Sequence, residues 1–278
     1  MEGELERYLD RVLGPCTVVG DRSWVHGRAA VIEVRDADGV TWFAKRHSGE
    51  RNYRAEVAAY RKWVPALGER APNLRAHDEE LQMMVLSAVP GEDGSGLALE
   101  SDAEIQRQAG WLLRRFHDAE SLGSWDDFAA AKLDEFEKWA ARADGLLERT
   151  QLAFARREVR RLSEVERPVR VPCHRDYGPR NWLIADGRVS VIDFEWARPE
   201  VWVNDLARLY FGPWRERPDL QDAFLDGYGR AIDDSDRAVL LGCGALSAVS
   251  TVIWAHAQGD AAFEAIGREN LRRLMKRT

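Results

Sequence analysis

An α+β fold is predicted, with a small antiparallel sheet followed by a mostly helical remainder, and three observations predict it. Apolar runs of strand length are concentrated before residue 90. The stretch Pro90-Gly91-Glu92-Asp93-Gly94-Ser95-Gly96 is rich in breakers and closes that region. Beyond it apolar residues recur at helical spacing, interrupted by one pair of short strands. Strands segregated from helices, rather than alternating with them, point away from a parallel doubly wound sheet.

Residues 4–13 place Leu5, Tyr8, Leu9, Val12 and Leu13 at helical spacing and stop at Gly14-Pro15, which predicts a short leading helix. Residues 17–19, 30–34 and 40–44 read as strands, the last two joined by the turn Asp36-Ala37-Asp38-Gly39. Between the first two lies Gly20-Asp21-Arg22-Ser23-Trp24-Val25-His26-Gly27, where backbone N–H groups can cradle phosphate oxygens. An ordinary hairpin loop fits the same letters, and Ser23 is the candidate phosphate contact. A helix is expected over 51–64 from Val57, Tyr60 and Val64, and an apolar strand over 81–89. Ser101-Asp102-Ala103-Glu104 forms a capping box for a helix running through Leu112, Leu113 and Phe116. Further helices are expected over about 127–147, 152–165, 218–232, 235–257 and 260–276.

The strand pair carries the chemistry. Val169-Arg170-Val171 leads into His174-Arg175-Asp176-Tyr177-Gly178-Pro179-Arg180-Asn181, and Val189-Ser190-Val191-Ile192 leads into Asp193-Phe194-Glu195. Two strand ends can set two carboxylates and an amide around one cavity. Transfer of a γ-phosphoryl group needs a carboxylate to orient the acceptor hydroxyl and oxygen ligands that hold Mg²⁺ against the nucleotide phosphates. Asp176, Asn181 and Asp193 are those three groups. Each alone reads as an Asx-turn residue, so the weight lies on the combination at this spacing. His174 is read as structural, holding the loop by a hydrogen bond.

The pattern His-x-Asp-x-x-x-x-Asn, followed by a strand ending Ile-Asp-Phe, resembles the protein-kinase-like superfamily. More narrowly it resembles the aminoglycoside phosphotransferase and choline kinase family. The resemblance implies a bilobal kinase-like fold. Residues 1–90 would form the nucleotide-binding lobe including the hinge, and residues 91–278 a helical lobe with the catalytic and metal loops and the substrate site. Position by position it implies Asp176 as catalytic base and Asn181 and Asp193 as metal ligands. Lys45 at the end of the third strand and Glu56 on the next helix resemble the family pair that positions the α- and β-phosphates, with Glu50 a rival for Glu56. A hinge that holds adenine by backbone hydrogen bonds would fall at Ser87 and Val89. Arg175 departs from the family, where a small residue commonly precedes the base, and Glu195 stands where protein kinases have Gly. Only eleven residues separate Asp193 from Asp205, too few for a protein kinase's long activation segment.

The formal net charge of -7, with basic residues interleaved among acids, argues against a nucleic-acid partner. Cys16, Cys173 and Cys243 fit neither a zinc pattern nor a disulfide framework, and the first residues lack a signal-peptide pattern, so a cytoplasmic location is expected. Residues 238–255 hold no charge and approach the length of a spanning helix, yet Gly242, Gly244, Ser247, Ser250 and Thr251 dilute them. They read as a buried core helix, with no membrane partner.

The expected activity is ATP- and Mg²⁺-dependent transfer to a hydroxyl of a small molecule by a monomer or homodimer, with GTP as an alternative donor. Acids (Asp126, Asp127, Asp134, Glu195, Glu200) and aromatics (Trp125, Trp196, Trp202, Trp214) in the helical insertion and after Asp193 suit a polar acceptor, cationic ones included. Glu195, Trp196 and Trp202 are the candidate substrate contacts, although most Trp residues serve as core. Among the family's acceptors an antibiotic of aminoglycoside, peptide or nucleoside type is expected, with choline, homoserine or a sugar as the alternative. A nucleotide-binding pseudokinase scaffold is the reading from outside enzymology.

Overall fold

The computed structural model describes residues 2–23, 29–96, 101–143 and 145–276. The chain runs α1 (Glu2–Leu13), β1 (Cys16–Asp21), β2 (Ala29–Asp36), β3 (Thr41–His47), α2 (Glu50–Lys62), β4 (Leu74–Asp78), β5 (Met83–Ser87), β6 (Glu92–Asp93), α3 (Ala103–His117), α4 (Phe128–Ala140), α5 (Arg149–Arg160), β7 (Arg170–Cys173), β8 (Trp182–Ala185), β9 (Arg188–Val191), β10 (Arg198–Val201), α6 (Ala207–Phe211), α7 (Pro218–Tyr228), α8 (Asp234–Gln258) and α9 (Ala261–Met275). The α+β expectation is met, a small antiparallel sheet first and helices after. Two compact units result: Met1–Glu120 with Pro172–Arg198 and Asp222–Gly229, and Ser121–Val171 with Pro199–Gln221 and Arg230–Thr278.

In the first unit five antiparallel strands lie in the order β1-β2-β3-β5-β4. The turn between β2 and β3 forms as expected, with Asp36 Oδ1 accepting from the amides of Asp38 and Val40 and Gly39 at φ 81°. α1 turns Tyr8 and Leu9 onto Val34, Ala44, Met83 and Val85, so the apolar stripe of the leading helix covers one face of the sheet. β3 is the middle strand, and it pairs Lys45 with Val31 on one side and Met84 on the other. β4, an edge strand, was not anticipated: Leu74-Arg75-Ala76-His77-Asp78 is mostly polar, and an edge needs few apolar contacts to pair.

A smaller sheet, β6-β8-β9, leads from Asn181 to Asp193. β8 and β9 form a tight hairpin with Trp182 opposite Val191. α3 opens on Asp102, whose carboxylate accepts from the amides of Glu104 and Ile105, so the cap lies one residue later than the Ser101 capping box predicts. Gly110 of α3 lies so close to α7 that a Cβ would sit 2.0 Å from the Phe224 carbonyl oxygen.

In the second unit α8 is the central helix. Val239, Leu240, Leu246, Val249, Val252 and Ile253 are all buried along it. By length and composition it meets the measure of a membrane-crossing helix, but 67% of its apolar window is buried within the protein, as a core helix requires.

Candidate active site

Lys45, Glu56 and Asp193 meet. Pairing on both sides holds β3 straight through Lys45, and the amphipathic α2 buries Glu56 on its inner face beside Val57 and Tyr60. Lys45 Nζ lies 2.9 Å from Glu56 Oε2, 2.6 Å from Asp193 Oδ1 and 3.7 Å from Glu195 Oε2. Glu56 is fully buried and Lys45 6% exposed, so these charges act across little water. Glu50 is no rival: it is exposed and pairs with Arg54.

Charge sets the ionisation of this cluster. Burial alone would lower the Lys45 pKa, but Asp193, Glu56 and Glu195 outweigh it and hold the amine above its ordinary value. Burial likewise pushes the Asp193 carboxyl up, and the Lys45 cation and its hydrogen bond bring it below the usual carboxylate range. Glu195 goes the other way, raised first by burial, with Asp193 and Glu56 adding to it against Lys45.

The loop between β7 and β8 is tied at several points. His174 Nε2 lies 3.0 Å from the Ile192 carbonyl oxygen, and the Ile192 amide donates to the Asn181 carbonyl, so the two motif strands are cross-linked as the reading of His174 expects. Asn181 spends its amide nitrogen on Asp176, 2.8 Å from the main-chain oxygen and 3.1 Å from Oδ2. Asp176 is 3% exposed, and the Arg180 guanidinium donates to the same Oδ2. Phe194 anchors Asp193: its ring is fully buried, 5.4 Å from Tyr60, 5.3 Å from Phe116 and 4.9 Å from His174. Arg175 and Asp193 both adopt left-handed backbone, at φ 66° and 65°. Such conformations in non-glycine residues are concentrated where side chains must be aimed against local preference. They also show why a small residue suits the position before Asp176.

The remaining candidates divide. Ser23 is turned inward, its amide bonded to Asp21 and its hydroxyl oxygen accepting from the Val31 amide. The rest of that loop, Trp24 to Gly27, lies outside the described residues. Ser87 exchanges hydrogen bonds with Asn73 through both its amide and its hydroxyl oxygen. Val89 is half-buried beyond the end of β5. Trp196 is exposed at 37%. Trp202 is not a wall of an open site: it is 4% exposed, donates to Asp236 at 2.8 Å and stacks under Arg230, and Trp182 and Trp214 are buried as well. The acids proposed to draw a cation are largely spent, Glu200 on Lys132, Asp126 on Arg167 and Asp134 on Lys138. Asp205 is buried in a 3-10 turn before α6.

Sequence reasoning missed His47 and Arg180. His47 Nε2 stands 2.8 Å from Glu56 Oε2, on the same carboxylate oxygen as Lys45. Its place two residues after Lys45, on the same face of β3, was the available signal. Arg180 lies four residues after Asp176 inside the motif itself.

The oxygen donors suit a hard divalent cation. Asp193 offers a carboxylate that is one-third exposed, and Asn181, with its nitrogen committed to Asp176, offers a carbonyl oxygen.

A family model described as APH, phosphotransferase enzyme family, matches residues 25–241. No curated protein matches the chain. Among solved structures, the macrolide 2′-phosphotransferase MphH from Brachybacterium faecium is similar at 16% identity and TM-score 0.67, covering 97% of both chains. A putative fructosamine-3-kinase from Thermobifida fusca is similar at 18% identity and TM-score 0.67, covering 98% of both. Spectinomycin phosphotransferase APH(9)-Ia, solved with ADP and spectinomycin, is similar at 15% identity and TM-score 0.64, covering 99% of this chain and 93% of its own. At these identities the likeness is one of fold, the protein-kinase-like fold. The family match spans most of the chain and includes both motifs: this protein belongs to the APH phosphotransferase enzyme family and is a small-molecule kinase.

Proposed function

We propose that the protein transfers the γ-phosphoryl group of ATP to a hydroxyl of an antibiotic, in the cytoplasm, using Asp176 as the residue that orients and deprotonates the acceptor. The observation that carries this reading is the Lys45–Glu56–Asp193 cluster beside the cross-linked Asp176–Asn181 loop. Lys45, kept charged and held by Glu56, binds the α- and β-phosphates. Asn181 and Asp193 hold Mg²⁺ through oxygen, and the ion supplies neutralisation of phosphate charge when bound. The acceptor oxygen bonds to the γ-phosphorus as the bond to the β-γ bridging oxygen breaks, ADP leaves, and the acceptor proton passes to Asp176. Arg180, on the same carboxylate, keeps Asp176 from swinging away and offers a cation near the developing charge. Residues 1–90 serve as the nucleotide lobe and 91–278 as the lobe of catalysis and acceptor binding. Val89 is the preferred adenine contact at the hinge, since Ser87 spends its amide on Asn73. ADP in the complex of the spectinomycin enzyme supports nucleotide use.

The antibiotic reading draws on structural neighbours described as macrolide and spectinomycin phosphotransferases. The fructosamine-kinase neighbour favours a second reading, a metabolic acceptor such as a sugar derivative. Cells expressing the chain are compared with cells expressing Asp176→Ala across a drug panel. Raised tolerance to one drug class that vanishes in the variant supports resistance; unchanged susceptibility with transfer to a metabolite in vitro defeats it. Purified Asp176→Ala should lose turnover by about 10²- to 10⁴-fold while retaining nucleotide binding, and full activity in that variant would remove Asp176 from its role.

A further inference from the structure

A cleft of about 510 Å³ opens at the start of α2, lined by His47, Arg51, Asn52, Glu195, Trp196 and Arg198, and all of it belongs to the first unit. Two arginines and an asparagine line it against a single acid. Gly49 caps α2 with no side-chain bond, and the first intrahelical hydrogen bond starts only at the Tyr53 amide, 3.2 Å from the Gly49 carbonyl oxygen. The amides of Glu50, Arg51 and Asn52 therefore have no partner among the described residues, and the positive end of the helix dipole lies there.

His47 stands beside this helix end. The residue is 4% exposed, it lines the cleft, and neither ring nitrogen makes a hydrogen bond among the described residues. Nε2 lies 2.8 Å from Glu56 Oε2, a distance at which only the charged imidazolium forms an ion pair. Asn52 Nδ2, likewise shielded from solvent, also has no hydrogen-bond partner among the described residues. Arg51 and the half-buried Arg198 have no ion-pair partner among the described residues. The one acid in the lining, Glu195, is drawn toward Lys45 at 3.7 Å. Buried donors without acceptors are costly unless a ligand completes them.

We propose that this cleft binds a small molecule through a phosphate or carboxylate group, with Arg51, Arg198, Asn52 and the first amides of α2 receiving the oxyanion and the Trp196 ring forming an apolar wall. The volume exceeds what a bare oxyanion fills, and falls in the range of small-molecule pockets, so the anionic group is the handle of a larger ligand. Charge-assisted hydrogen bonds from two guanidiniums are the strong kind, and a helix N-terminus completes them. Because α2 carries Glu56, occupancy at its first turn also steadies the residue that holds Lys45.

The test is calorimetric titration of inorganic phosphate, phenyl phosphate and benzoate into the full chain, with and without a saturating non-hydrolysable ATP analogue and Mg²⁺ so that the nucleotide site is filled in one arm. One-site binding that survives the analogue and weakens about tenfold or more in Arg198→Ala and Arg51→Ala is expected. Phenyl phosphate should bind more tightly than inorganic phosphate, and Trp196→Ala should remove that margin. Binding of the phosphates alone assigns a phosphate ligand, of benzoate alone a carboxylate, and of both the shared oxyanion. No binding of any probe to the wild type, displacement by the ATP analogue, or affinity unchanged in both arginine variants overturns the proposal. Arg51 is exposed, so Arg51→Ala tests the site even where Arg198→Ala fails to fold. Failure of the analogue to bind would count against the proposed kinase chemistry and leave the arginine comparison intact.

Discussion

Charge converges on Lys45. Three carboxylates face it, and Glu56 has no access to water with which to replace it. Replacing Lys45 by Met leaves those carboxylates uncompensated in a buried place, and breaking a buried pair from one side costs about 3–5 kcal/mol. Chemical denaturation of Lys45→Met should show a loss of that order; a loss below about 1 kcal/mol would mean that the cluster is well hydrated. Asp193 gives a pH signature of its own. Lys45 holds its carboxyl below the ordinary value against the opposing effect of burial, so the folded state binds the proton less readily than the unfolded one. That contribution to stability is present above about pH 4 and is lost as pH falls below it. Melting temperatures of the wild type and Asp193→Asn, taken from pH 7 to pH 3, should therefore converge as the solution is acidified. A constant difference across that range would dissociate Asp193 from Lys45.

α3 shows how an element can be fixed by one missing side chain. Its outer residues follow helical periodicity, but Gly110 faces the backbone of α7 near Phe224, where a Cβ would come within 2.0 Å of a carbonyl oxygen. A backbone oxygen cannot rotate away as a side chain can, so the helices must separate. Gly110→Ala should destabilise by the upper part of the range of about 1–3 kcal/mol for overpacking, despite Ala being the better helix former. Equal or greater stability on denaturation would show that the two helices adjust freely. The same helix carries Tyr177's partner, the Ala109 carbonyl oxygen 2.7 Å from the Tyr177 hydroxyl, so a shift there reaches the loop that holds Asp176.

For the molecule as a whole, the proposed nucleotide binding would be linked to folding. A ligand that binds only the folded chain at about a hundred times its Kd adds about 2.7 kcal/mol, worth roughly 5 °C in a protein of this size. ADP with Mg²⁺ should raise the melting temperature by that amount in the wild type and by much less in Asp193→Asn. An equal rise in both would place the nucleotide elsewhere.

Much was legible along the chain because it depends on local spacing. Period 3.6 marks helices such as α1 and α8, Asp-x-x-Gly closes the β2–β3 turn, and the polar residues of the two motifs keep fixed distances along short strands. Asp176, Asn181, Asp193, Lys45 and Glu56 were singled out as candidates in that way, their roles with the help of family resemblance. Spacing says nothing about which distant side chains share a space. Trp202 and Trp196 lie six residues apart and read alike, yet one is sealed beneath Arg230 and the other faces solvent. Glu200 looks like an open acid until Lys132, distant in the chain, is folded onto it. The edge strand β4, the second partner of Glu56 at His47, and the donor-lined cleft before α2 arise likewise from packing between segments far apart in sequence. Burial and counter-charge are properties of the folded surroundings, so they become visible only where chain closure has brought the partners together.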